Sequence, residues 1–184
     1  MGPKASNLKL NLRELNAWQK LLCVFLICLS GLAAFSNSFN TAFQFDDTHT
    51  VQSNMYVRSL KNVPQFFVDA KTFSYRPENS GYRPMTSTAL ALGFAISHVE
   101  TWGYHLIKFI EHCLVAILIF LIALHLLPRQ GYLLQWALIR DPDDAKSGSI
   151  LGRDLVAFFA ALIFVVHRAN TETVVYITQI AMVS

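Results

Sequence analysis

The chain has 184 residues, 53% of them hydrophobic and only 15% charged, with a formal net charge of +3. Soluble domains carry about a quarter charged residues, so the composition excludes an ordinary soluble enzyme and a disordered chain. The small net charge gives no reason to expect nucleic acid as a partner. Three cysteines without a CxxC or metal-ligand spacing indicate neither a disulfide framework nor a zinc site.

The apolar residues clump, and the clumps predict an all-α, polytopic integral membrane protein. From Leu21 to Phe45 there is no charged residue. A first span over 17–39 is long enough to cross about 30 Å of hydrocarbon. Lys4, Lys9, Arg13 and Lys20 precede or open it, opposed only by Glu14. The positive-inside rule then puts the N-terminus in the cytoplasm. A cleaved signal peptide is the rival reading, because small residues follow the apolar run, but further spans favour an anchor.

A large extracytoplasmic loop follows over 40–102. Within it, 85–99 is apolar but covers only about 22 Å as a helix, which suits an interfacial or re-entrant segment. A second span is expected over 103–127, entered through the aromatic pair Trp102 and Tyr104 and closed by Pro128. The polar stretch 128–152 reads as a cytoplasmic loop, with a solvated turn from Arg140 to Ser149. A third span over 150–167 would keep Arg153 and Asp154 at the surface in its first turn. Residues 168–184 form an extracytoplasmic turn and the start of a further helix.

Four groups of residues could carry chemistry. Phe45-Asp46-Asp47 places two adjacent carboxylates past the first span. They suit a general base for an acceptor hydroxyl, a divalent-cation site, or simply a solvated loop start with an Asx turn. In Gly81-Tyr82-Arg83-Pro84, Arg83 stands before a helix that Pro84 can open. It suits a phosphate contact through its planar fork, or snorkelling to lipid headgroups. His105, Lys108 and His112 share one helical face, and Glu111 can pair with Lys108. Ionisable groups in a span usually face a protein interior or a cavity. His167 to Glu172 ends the third span, where Asn170 or Thr171 can cap a following helix. His125 reads as an interface residue. No metal-ligand set is recognisable.

Taken in order, these pieces resemble a known family. Phe45-Asp46-Asp47, Tyr82-Arg83-Pro84-Met85-Thr86, Gly103-Tyr104-His105-Leu106-Ile107 with His112, and His167-x-x-x-Thr171-Glu172 look like the N-terminal part of bacterial TPR-containing membrane glycosyltransferases of the GT-C class. These are similar to the transmembrane-and-TPR O-mannosyltransferases. The resemblance implies a polyprenyl-phosphate sugar donor and a hydroxyl acceptor, with Asp46 or Asp47 as the catalytic carboxylate. It also implies Arg83 and Tyr82 near the donor phosphate, and His105, His112, His167 and Glu172 lining or bracing the cavity. A bacterial inner membrane would be the location.

There are departures. Arg168 stands where the family has Pro, Lys108 where it has Asn, and Ile180 where it has Arg. The family has more spans and a TPR region, so the chain reads as a shortened form. It would need other membrane subunits, or a chain supplying further spans, besides the lipid bilayer. The other reading is a non-catalytic accessory or scaffold subunit of a larger membrane complex.

Overall fold

The computed structural model describes residues 15–44, 47–79, 81–127 and 153–177. Asp46, the whole expected cytoplasmic loop 128–152 and residues 178–184 of the expected turn and further helix lie outside them. Helices and turns account for the regular structure of the described residues.

Helix α1 spans Ala17–Phe35. It starts where Asn16 and Gln19 form a capping box: Gln19 N donates to Asn16 Oδ1, and Asn16 N donates to Gln19 Oε1, both at 2.9 Å. A 3-10 turn, Ser36–Asn40, continues it. Short turns follow, then the one-turn helix α2, Val63–Phe66. Helix α3, Pro84–Ser97, opens on its proline, whose missing N–H is an unpaired donor there anyway. The long helix α4 is Thr101–Leu126. Helix α5, Arg153–Val166, is followed after a bend of 47° by the short α6, Thr171–Val175. Helices α1 and α4 are long and apolar enough to cross a membrane, and the bent α5–α6 segment is a third candidate.

The three candidates form a bundle of alternating direction. Leu15 N, at the start of α1, donates to Asp154 Oδ2, at the start of α5, at 2.6 Å. Near their other ends, a Cβ on Gly31 would lie 2.9 Å from Val165 Cγ2. So α1 and α5 run side by side in the same direction. Helix α4 runs the opposite way: its Phe109 meets Phe39, while its later residues Ala116 and Phe120 pack with Ile27. The described residues of 36–100 and 167–177 therefore share one end of the bundle.

Between lipid-immersed helices the hydrophobic effect gives little, so close approach must supply the attraction. The sequence provides it through small residues: Gly31, Ala116, Ala157 and Ala161 are buried at the helix contacts. Trp18, Phe25, Leu29, Leu114, Leu118, Leu121, Phe159 and Ile163 instead point outward. That apolar girdle is larger than water tolerates on a monomer, and lipid is its natural solvent. The protein is an integral membrane protein.

Asp154 departs from the surface position expected for it. It is buried, held by the Leu15 amide and by Arg153 Nε at 3.0 Å. A carboxylate with charged and amide donors can be buried where a bare one cannot.

A second core sits at the shared end. Val51, Val57, Phe66, Leu90, Ala91, Tyr104 and Ile177 close on one another, so the loop packs on α3, the start of α4 and the chain after α6. Buried Asn54 staples it, donating to the carbonyls of Thr72 at 3.0 Å and Phe73 at 3.1 Å and accepting from Tyr56 N at 3.0 Å. Of the loop's aromatic side chains Phe66 and Phe73 are buried, whereas Phe67, Tyr75 and Tyr82 are exposed.

Candidate functional site

The expected acidic segment follows the 3-10 turn Ser36–Asn40 after the non-helical stretch 41–44. Asp47 is described and buried. Its Oδ2 accepts from Gln44 N, and its own N–H donates to Gln44 O, both at 2.9 Å. A carboxylate is acceptor-only when ionised, so the Gln44 amide fixes one oxygen and closes a tight turn. This turn runs into a single π-helical turn, Thr48–Gln52.

The Gly103-Tyr104-His105 motif at the start of α4 works on the same segment. Gly103 leaves room for Ser97, whose Oγ would lie 2.3 Å from a Cβ there. Tyr104 fills the space over Gly93, donates its OH to His98 O at 2.6 Å, and receives the edge of Phe43 at 5.5 Å. His105 is wholly buried, with Nε2 3.1 Å from Thr41 O. A carbonyl only accepts, so the ring proton is on Nε2. Nδ1 has no hydrogen-bond partner among the described residues.

His112, buried two turns along α4, points elsewhere. Its Nε2 donates to Val165 O at 3.0 Å, between the rings of Phe35 and Phe164. It joins helices. Lys108 and Glu111 pair at 3.2 Å, Lys108 mostly covered and Glu111 about half exposed.

Arg83 ends the loop. Its guanidinium lies 5.5 Å from the centre of the Phe73 ring, a cation–π arrangement. Tyr82 is exposed, and its OH donates to Phe67 O at 2.9 Å. His167 and Glu172 are exposed at the end of α5 and the start of α6. His167 Nδ1 accepts from Ala169 N at 3.2 Å, which caps the 3-10 turn Arg168–Asn170.

The geometry thus gathers Asp47, Tyr82, Arg83, His105, His167 and Glu172 at one end of the bundle, with His112 just below. Within that set Asp47 and His105 act on one short segment, from its two sides. His167 and Glu172 share the end of the bundle with that segment, but they belong to the α5–α6 bend. A groove along α1, lined by Asn16, Trp18, Gln19, Leu21, Leu22 and Phe25, lies at the opposite end of the bundle and has no ionisable lining group among the described residues. Among the described residues no three His, Cys, Asp or Glu side chains converge as a metal site would need.

One functional-end residue escapes the sequence patterns. His49 is buried, with Nδ1 3.0 Å from Ser74 Oγ and Nε2 3.1 Å from Asn79 Nδ2. It sits in a polar run, Asp47-Thr48-His49-Thr50, that has no periodicity to betray an inward face. Only its place two residues after Asp47 could have drawn notice.

Relatives of the chain are known by sequence. It is 32% identical over 165 residues to the protein O-mannosyl-transferase Tmtc3 of Drosophila melanogaster, covering 86% of this chain and 17% of that protein. It is 24% identical over 149 residues to the protein O-mannosyl-transferase TMTC2 of Mus musculus, covering 78% and 15%. With the protein O-mannosyl-transferase F38B6.6 of Caenorhabditis elegans it shares 27% over 139 residues, covering 74% and 17%. Its homologues are TMTC-type O-mannosyl-transferases. No family model and no solved structure matches the chain. The chain spans about a sixth of the length of these relatives. All three are animal proteins, so they lend no support to a bacterial source.

Proposed function

We propose that the chain carries the acidic-loop module of a GT-C glycosyltransferase, which moves a sugar from a polyprenyl-phosphate donor to a hydroxyl acceptor. The observation that carries this reading is Asp47. Its carboxylate is folded onto the Gln44 amide at the membrane end of α1, in a chain whose homologues are named protein O-mannosyl-transferases. In this reading the N-terminus is cytoplasmic and the end holding residues 36–100 is extracytoplasmic, where a lipid-linked donor presents its head group.

The chemistry is a single in-line displacement. Asp46 or Asp47 orients the acceptor hydroxyl and takes its proton as the new bond to the sugar carbon forms. The bond from that carbon to phosphate breaks, and the electron pair leaves with the polyprenyl phosphate. The sugar carbon inverts. Arg83, with its delocalised charge beside Phe73, balances charge on the departing phosphate. Other spans, from a partner chain or a longer polypeptide, complete the donor and acceptor sites.

The test uses membranes carrying the chain, and the chain purified from them in gentle detergent with whatever accompanies it. Polyprenyl-phosphate mannose and a Ser/Thr peptide are supplied, and mannosylated peptide is measured. The expected result is transfer that falls by about 10²–10⁴-fold when the catalytic carboxylate is replaced, in Asp46→Asn or Asp47→Asn. Transfer untouched by both substitutions, or none in any preparation, would overturn the reading and leave a scaffold role.

A further inference from the structure

The backbone that carries Asp47 is fastened on both sides by a buried imidazole. Upstream, His105 Nε2–H holds the Thr41 carbonyl at 3.1 Å, across more than sixty residues of chain. Phe43 rests on Tyr104, the residue next to His105, at 5.5 Å. Downstream, with the Asn79 amide nitrogen facing Nε2, that ring nitrogen of His49 accepts, and its Nδ1–H donates to Ser74 Oγ at 3.0 Å. The His49 carbonyl in turn accepts from Tyr75 N at 3.0 Å. The two rings are 0% and 6% exposed, so neither bond competes with water.

We propose that His105 and His49 are positioning residues that together hold the Asp47 segment in register, His105 against α4 and His49 against the strip that leads to Arg83. The inference rests on the transferase reading for its catalytic meaning, though not for its geometry. His49 is two residues from Asp47, and Ser74 is next to Phe73, which underlies Arg83. His49 therefore couples the carboxylate side of the site to the guanidinium side. His105 stops the other end of the segment from swinging away from α4. Such fastening matters because a displacement of about 1 Å at a reacting group can cost about 10²-fold in rate.

The amide mimics separate positioning from mere bulk. Gln presents its Nε2 where His105 has one, whereas Leu has no donor; Asn does the same for Nδ1 of His49. Two readouts are taken in lipid nanodiscs on the full chain together with whatever accompanies it from its membranes. The first is hydrogen exchange at the Gln44 and Asp47 amides, which close the acidic turn. The second is kcat and KM for polyprenyl-phosphate mannose.

The expected result for His105→Leu and His49→Leu is exchange about tenfold faster at those two amides, as the loss of one buried hydrogen bond allows. Exchange at Ala116 in the bundle stays as it was. In kinetics, kcat falls and KM for the donor holds, and His105→Gln and His49→Asn restore both readouts. Unchanged exchange at Gln44 and Asp47 in the Leu variants would overturn the proposal. So would Gln or Asn variants as damaged as the Leu ones. If His105→Leu does not fold, His105→Asn, too short to reach Thr41, takes its place. If the wild-type chain shows no transfer even with the spans that accompany it, the transferase reading falls, yet the exchange data still decide whether the two rings hold the segment.

Discussion

His112 in α4 donates from Nε2 to the carbonyl oxygen of Val165, in the last turn of α5, at 3.0 Å. That carbonyl is one of the acceptors a helix leaves unpaired where it stops. The neighbouring carbonyl, on Phe164, accepts from Asn170 Nδ2 at 2.7 Å as well as from His167 N at 3.3 Å. Two side chains thus let α5 end inside the bundle and bend into α6. Removing the first donor by His112→Leu should cost about 0.6–2 kcal/mol, the range of interhelical hydrogen bonds in membranes. Unfolding of the purified chain in mixed detergent micelles measures it. Because His112 joins helices, transfer by the folded fraction should change little. A loss of rate at unchanged stability would instead put His112 at the chemistry.

The α3–α4 hairpin depends on two glycines that leave room for specific neighbours. A Cβ on Gly103 would lie 2.3 Å from Ser97 Oγ and 2.7 Å from its Cβ, and one on Gly93 would lie 2.5 Å from Tyr104 Cδ1. Gly81 differs: a Cβ there meets Phe73 only at 3.6 Å, an ordinary contact. Gly103→Ala should therefore destabilise by about 1–3 kcal/mol, the usual cost of overpacking. Gly81→Ala should be close to neutral. Thermal unfolding of the two variants side by side checks the contrast. Equal effects would mean that the helices can separate without cost.

Much of the architecture was legible in the sequence, and the limits have physical causes. Two long apolar runs fall within α1 and α4, because a lipid-facing helix must be apolar along its membrane-exposed length. Helix α3 also stands out, opened by Pro84 and too short for a simple crossing. The depth of Asp154 was not legible, since its partner is a backbone amide 139 residues away. The same holds for His105. Its place on α4 could be read, but its partner is the carbonyl of Thr41, and every residue has a carbonyl. His49 was missed altogether, because the single polar turn Thr48–Gln52 is too short to carry a period by which an inward side chain could be recognised.

The turn between α3 and α4 stores strain that a substitution should release. His98 has φ 55° and ψ −113°, the only positive φ outside glycine among the described residues. Glu100 N donates to Ser97 O at 2.9 Å, closing a turn with His98 at its first central position. These are type II′ values, for which glycine is the usual residue because it has no Cβ to clash. What the histidine supplies in return is a contact of Nδ1 with Phe94 O at 3.1 Å and a tilted ring pair with Phe94, both at the surface. An exposed contact of this kind recovers little, whereas a non-glycine residue in such a conformation costs about 1–3 kcal/mol. The backbone term wins, and His98→Gly should stabilise the chain by about 1 kcal/mol. The Tyr104 OH bond to the His98 carbonyl involves only backbone at position 98, so it should survive the change. Unfolding in mixed micelles measures the gain. A loss of stability would mean that the side chain of His98, and not the shape of the turn, holds α3 against α4.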